Sequence, residues 1–199
     1  METPREGEDT LPSALETRRG ESPSAYTPAT VTLDPDTAHP QLTLSEDGKH
    51  VRQADTRQRL PSTPERFDPV FCMLGREGFT SGRHCWEVEV GDGRHWAVGV
   101  ARESINREDW NSQNPSGRIW AVEQWGDQFW ALTHPATLLP LSKVPSRIRV
   151  CLDCDQRQVT FINAANEATI FTFPAGSVSE QSIQPWFRVG LGSQLSLCP

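Results

Sequence analysis

The chain has 199 residues, room for one ordinary domain, with 19 Lys and Arg against 26 Asp and Glu for a formal charge of −7. That balance excludes a broadly basic nucleic-acid-binding surface, and no run of about 18 apolar residues is present to cross a membrane as a helix. Apolar residues make up only 36% of the sequence, but seven Trp and eight Phe supply much buriable area per residue.

In chain order, residues 1–28 come first: rich in Glu, Arg, Ser and Pro, with almost no apolar content. Such a segment cannot bury enough surface to offset the entropy of ordering it, so it is expected to be a disordered tail or linker. It has no apolar stretch of the kind a secretory leader needs. The five cysteines (Cys72, Cys85, Cys151, Cys154, Cys198) are an odd number in a chain large enough to fold without staples. Asn114 is followed by Pro115, and no other Asn has a hydroxyl residue two positions on. These features together predict a reducing, cytoplasmic compartment.

From Ala29 onward, short alternating runs are separated by turn residues. Leu42–Leu44 and Val51 flank Glu46-Asp47-Gly48-Lys49, a hairpin signal. Trp86, Val88 and Val90 share one strand face and Glu87 and Glu89 the other. Gly91-Asp92-Gly93 then leads to Trp96, Val98 and Val100 on one face, which predicts a second hairpin. Ile119–Val122 and Phe129–Leu132 bracket Gly126-Asp127, and Arg147–Leu152 turns through 153–156 into Val159–Ile162. Thr169–Phe173 and Trp186–Leu191 close the series. Turn signals every ~8–12 residues and no sustained 3.6-residue period predict an all-β, two-layer antiparallel β-sandwich.

The residues with reactive chemistry read more simply as structure. Cys151-Leu152-Asp153-Cys154 matches a C-x-x-C spacing, but positions i and i+3 of a strand face opposite sides, and no second ligand pair completes four. His84 and Cys85, as strand neighbours, point apart and are no catalytic dyad in themselves. A nucleophile elbow, a phosphate loop and a dinucleotide fingerprint are all missing. The reading is therefore a non-enzyme with no catalytic residue, no metal and no cofactor. Trp86 and Trp96 alternate in phase with Val and are assigned to the core. Trp110, Trp125 and Trp130 lie in or beside polar connections, where a ring needs a partner or a local packing role.

The ordered set Leu33-Asp34-Pro35, Pro64-Glu65-Arg66-Phe67, Gly78-Phe79-Thr80-Ser81-Gly82-Arg83-His84-Cys85-Trp86-Glu87-Val88, Trp96-Ala97-Val98-Gly99-Val100, Leu152-Asp153-Cys154-Asp155, Val159-Thr160-Phe161, Pro185-Trp186-Phe187 and Leu195–Pro199 resembles a PRY-SPRY domain. That module is found at the C-terminus of tripartite-motif ubiquitin ligases and in butyrophilins. The resemblance implies a SPRY sandwich of concanavalin-like jelly-roll type, with a PRY segment over residues 29–80 and a SPRY segment over 81–199 packed as one domain. Cys154 replaces a usual aromatic, and Trp186-Phe187 stands where two Phe or Phe-Tyr are common.

In the resembled family, loops on one side of the sandwich form a shallow pocket for a protein or peptide. Carried over by position, that pocket takes Glu103, Glu123, Gln124, Trp125 and Phe187. Arg102, Asn106 and Arg118 fit as rim groups for a carboxylate. Glu123 stands where some relatives have a second Trp, which shifts target preference. The expected function is protein recognition, as the target-choosing part of a tripartite-motif ubiquitin ligase with an innate-immunity role. The isolated domain is expected to be monomeric, with no nucleic-acid partner and no membrane insertion. One alternative is a butyrophilin-like sensor of a small phosphorylated anion, drawing on Arg94, His95, Arg102, Arg107 and Arg118. Another is a secreted venom-type SPRY protein, against which the missing leader counts.

Overall fold

Fourteen strands stack in two layers in the computed structural model, which describes residues 26–54, 71–102, 118–141 and 143–198. In chain order they are β1 (Thr27–Pro28), β2 (Leu42–Leu44), β3 (His50–Gln53), β4 (Cys72–Leu74), β5 (Arg83–Glu89), β6 (His95–Arg102) and β7 (Ile119–Trp125), followed by β8 (Gln128–Ala131), β9 (Thr137–Leu139), β10 (Arg147–Asp153), β11 (Gln158–Asn163), β12 (Ala168–Phe173), β13 (Ile183–Val189) and β14 (Gln194–Leu197). One sheet runs β12-β11-β10-β5-β14-β3-β2, with β1 added beside β5; the other runs β4-β13-β6-β7-β8-β9. The predicted all-β sandwich is the architecture found. Every pairing is antiparallel except β1 with β5.

The layers meet over one apolar core. The eight-stranded sheet contributes Trp86, Val88, Ile148, Val150, Leu152, Phe161 and Leu195. The facing sheet contributes Met73, Trp96, Val98, Val100, Trp120, Val122 and Phe187. Each is an alternate residue of its strand, so the period of two sends the polar neighbours outward. Glu87, outward on β5, accepts from Arg149 of β10 at 2.9 Å, and Arg149 also binds Glu167. A large buried side chain contributes roughly 1.5–3 kcal/mol, and the rings of Trp96, Phe161, Trp186 and Phe187 are among the largest wholly enclosed.

Three predicted hairpins are present: β2/β3, β7/β8 and β10/β11. The fourth, joining β5 to β6, is not. These two strands belong to different sheets, and residues 91–94 carry the chain from one layer to the other. Their apolar faces oppose each other across the core instead of lying side by side. Alternation and a Gly-rich turn specify the inward faces in either case, so they cannot tell a hairpin from a sheet-to-sheet connection. Thr27 and Pro28, assigned by composition to the tail, form β1. Pro28 has no N–H to give, and the Ala29 N–H donates to the Cys85 carbonyl at 2.8 Å. The tail reading of residues 1–25 lies outside the described residues.

Candidate functional site

The outward face of the six-stranded sheet is apolar and built on small residues. β6 presents Ala97, Gly99 and Ala101 there, with Ala121 of β7 beside them and Trp186 of β13 wholly covered. Gly99 permits this approach: a Cβ at that position would lie 2.2 Å from the Trp120 carbonyl oxygen. One row along, Arg188, Ala97 and Glu123 stand abreast on β13, β6 and β7. Arg188 and Glu123 form an ion pair over the Ala97 methyl, and the guanidinium carbon also sits 6.0 Å from the Trp186 ring centre.

Trp125 ends β7 and stands 60% exposed. Its placement is determined by the residues around it. Gly126, at φ +64°, occupies the left-handed region that a two-residue hairpin turn demands, and its N–H donates to the Arg94 carbonyl at 2.9 Å. Arg94 and Asp127 clasp the same tip at 3.1 Å. Beneath it, the buried Gln124 accepts from Trp96 Nε1 at 2.9 Å and donates to the Gly126 carbonyl at 3.0 Å. The His95 ring meets the Trp125 ring edge-on with centres 4.8 Å apart.

A second turn faces this one. The Gly190 N–H donates to the His95 carbonyl at 2.7 Å, and the His95 N–H donates to Ser193 Oγ at 3.0 Å. Leu191, on that pinned turn, is 75% exposed. Between the two turns lies a concavity of about 300 Å³ lined by Phe71, His95, Trp96, Trp125, Arg188 and Leu191, with Gln53 at its edge. Four rings and an exposed leucine on hydrogen-bonded turns form an apolar receptacle, and its cation is already paired with Glu123. Another hollow, about 370 Å³, lies over β2, β3 and β14 and is lined by residues such as Thr43, Ser45, Arg52 and Ser196; its lining residues include the exposed His50 imidazole but no Trp or Phe. Among the described residues, no group of three or more His, Cys, Asp and Glu is placed to hold a metal ion.

The residues expected in the pocket do not all meet. Trp125 lines it. Glu123 acts on it through Arg188, and Gln124 lies below as a support rather than a contact surface. Phe187 requires a correction: it stands abreast of Val98 and Met73 in the inter-sheet core and is wholly buried, so it cannot wall an exposed pocket. The one-residue phase of β13 decides this, because Trp186 is the outward member of the pair. Arg102 and Arg118 are joined backbone to backbone at 2.9 Å, but at the far end of β6 and β7. The six residue steps of β7 place them ~20 Å from Trp125. Arg102 also begins on the inward side, opposite Ile183, with its Nε buried and unpartnered among the described residues. Glu103 and Asn106, and with them Trp110 and Arg107, lie outside the described residues. Sequence reasoning missed Phe71, His95 as a ring contact, Arg188 and Leu191. The exposed apolar Leu191 between Gly190 and Gly192 was the signal available for the last.

Comparison with known proteins agrees with this fold. A model of the SPRY-associated domain, PRY, matches residues 31–79, and a model of the SPRY domain matches 83–198. Butyrophilin subfamily 1 member A1 from Mus musculus is 52% identical over 157 residues, 79% of this chain and 30% of the relative. Zinc finger protein RFP from Homo sapiens is 41% identical over 170 residues, 85% of this chain and 33% of the relative. The chain thus spans about a third of the length of these curated relatives. In fold, it is similar to the TRIM65 PSpry domain (TM-score 0.75, 20% identity, 98% of this chain and 100% of that one) and to stonustoxin (TM-score 0.75, 23% identity, 86% and 29%). The matches to the PRY and SPRY models define a protein-interaction module. The chain belongs to the PRY-SPRY family shared by butyrophilins and tripartite-motif proteins.

Proposed function

We propose that this PRY-SPRY module grips a protein or peptide target by seating an apolar side chain in the recess between Trp125 and Leu191. The observation carrying this reading is a pair of exposed apolar residues held on opposing, hydrogen-bonded turns around a concavity. Exposed aromatic anchors of this kind dominate interface energetics, and presenting them on a rigid frame reduces the entropy lost on binding.

The proposal extends to a wider role. The likeness to zinc finger protein RFP supports service as the target-choosing part of a tripartite-motif ubiquitin ligase; a cytoplasmic site of action and a role in innate immunity are further parts of this proposal. The module works as a monomer, and its partners are proteins rather than nucleic acids. Butyrophilin similarity also raises the phosphorylated-anion reading, but the described cations argue against it: Arg94 is committed to Asp127, Arg188 to Glu123, and Arg102 and Arg118 lie at the other end. Peptide display against the immobilised chain tests the choice. Selection of sequences with a shared bulky apolar residue, competing for one site and lost on Trp125→Ala, is expected. Saturable binding of an organic pyrophosphate with no peptide selection would favour the anion reading.

A further inference from the structure

The outer face of the eight-stranded sheet, remote from the Trp125 recess, carries two cysteines in an arrangement the binding function does not use. Cys85 of β5 stands directly opposite Cys151 of β10. The backbone shows which kind of opposed pair they form. The Cys85 carbonyl accepts from the Ala29 N–H at 2.8 Å, and the Glu87 carbonyl two residues on accepts from the Cys198 N–H at 2.9 Å. Odd-numbered residues of β5 therefore turn their polar groups away from β10. On β10, the Arg147 carbonyl accepts from the Ala164 N–H at 3.0 Å, so its odd-numbered residues, Cys151 among them, turn theirs toward β11. Cys85 and Cys151 thus face each other as a non-hydrogen-bonded pair, in which Cα atoms approach to about 4.5 Å. That spacing falls within the roughly 4.4–6.8 Å a disulfide spans. Trp86, Val150 and Leu152 face the core, so both thiols lie on the outer side, and both are free.

The two thiols are unlike. Cys151 is buried and hydrogen-bonds to Cys85. That bond, aided by the Arg149 guanidinium against burial and Glu87, lowers the Cys85 thiol to about 7. The same bond, with burial, pushes Cys151 up. Burial raises the remaining three, with Cys72 reaching about 12 and Cys154 about 11. Cys85 also lines a hollow of about 380 Å³ with Pro28, Ala29, Arg149 and Cys198, which gives a small reagent a way in.

We propose that Cys85 and Cys151 are an oxidisable dithiol, in which hydrogen peroxide oxidises Cys85 and Cys151 resolves it into a cross-strand disulfide. The Cys85 sulfur attacks a peroxide oxygen, the O–O bond breaks, and Cys85 becomes a sulfenic acid as water leaves. The Cys151 sulfur then attacks the Cys85 sulfur; the S–S bond forms, the S–O bond breaks, and hydroxide departs as water with the Cys151 proton. Two thiols lose two electrons and two protons, and one hydrogen peroxide becomes two waters. The first step removes the thiolate that held the Cys151 proton, which frees the resolving sulfur to react.

The test treats the full chain with hydrogen peroxide, blocks remaining thiols with N-ethylmaleimide and maps non-reduced peptides by mass spectrometry. The expected result is three blocked thiols of the five, one linked Cys85–Cys151 peptide, and an oxidation rate that rises as pH passes through about 7. Cys151→Ser should leave Cys85 as a sulfenic acid captured by dimedone, and Cys151→Ala serves if the Ser variant misfolds. Five free thiols in folded, peroxide-treated protein would overturn the proposal. A bridge to any other cysteine, or wild-type Cys85 halting at the sulfenic acid beside a free Cys151, would do the same.

Discussion

Arg188 and Glu123 reach each other over Ala97, from strands two apart in the six-stranded sheet. Only a residue as small as alanine between them leaves the space, and the pair then neutralises the Arg188 guanidinium that lines the ring-bearing recess. The recess accordingly presents rings and an aliphatic chain rather than a net charge, which is why an apolar anchor is its natural occupant.

Removing one partner should cost more than removing both. Glu123→Ala strands a largely covered guanidinium and is expected to lower unfolding free energy by about 2 kcal/mol, whereas Arg188→Met with Glu123→Leu should recover most of the loss. Chemical denaturation of the single and double variants measures the coupling. Additive losses would show that the two side chains do not interact.

Gly99→Ala should weaken the pairing of β6 with β7, because the added methyl would meet the Trp120 carbonyl and Ala121 at 2.2–2.6 Å. The β7 backbone it meets cannot yield cheaply, so a loss of about 3 kcal/mol is expected, visible as a lower denaturation midpoint. An unchanged midpoint would mean the two strands separate without penalty.

Trp86 lies in the core, 5.7 Å from the Phe79 ring centre. Trp86→Ala should cost roughly 3–5 kcal/mol through the cavity it opens. Thermal unfolding reads this directly, and an unshifted transition would remove Trp86 from the core.

On the acid side, the Arg149 hydrogen bonds hold the Glu167 carboxyl below its ordinary range. A depressed carboxyl adds stability above its unfolded pKa and loses it as pH falls through the folded one. Glu167→Gln should therefore be less stable than wild type near neutrality, by a few tenths of a kcal/mol for so exposed a group, with the gap closing in acid. Melting curves from pH 7 to pH 3 check the sign; a gap that widens in acid would contradict it.

The sandwich was legible because inward residues recur at every second position, as at Trp86-Val88-Val90 and Trp96-Val98-Val100, whatever sheet a strand joins. Sheet membership was not, because the link through residues 91–94 carries the same turn residues as a hairpin. The site was half legible. Trp125 declares itself by standing in a polar turn, but Phe187 differs from Trp186 only by strand phase, which the run Ile183–Val189 leaves open where both neighbours are aromatic. Arg188 and Leu191 enter the site through pairing between strands far apart in sequence, which no local pattern records. Arg102 and Arg118 join Trp125 in the sequence reading only by their charge, as rim groups for a carboxylate, although a whole strand length separates them.

The most direct test measures the affinity of a display-selected peptide for the wild-type chain, for Trp125→Ala and for Leu138→Ala, an exposed apolar control on β9. Recognition through the recess predicts at least a hundredfold weaker binding for Trp125→Ala, less than a twofold change for Leu138→Ala, and unfolding free energies of both within ~1 kcal/mol of wild type. Equal affinity for Trp125→Ala and wild type would place recognition elsewhere on the molecule.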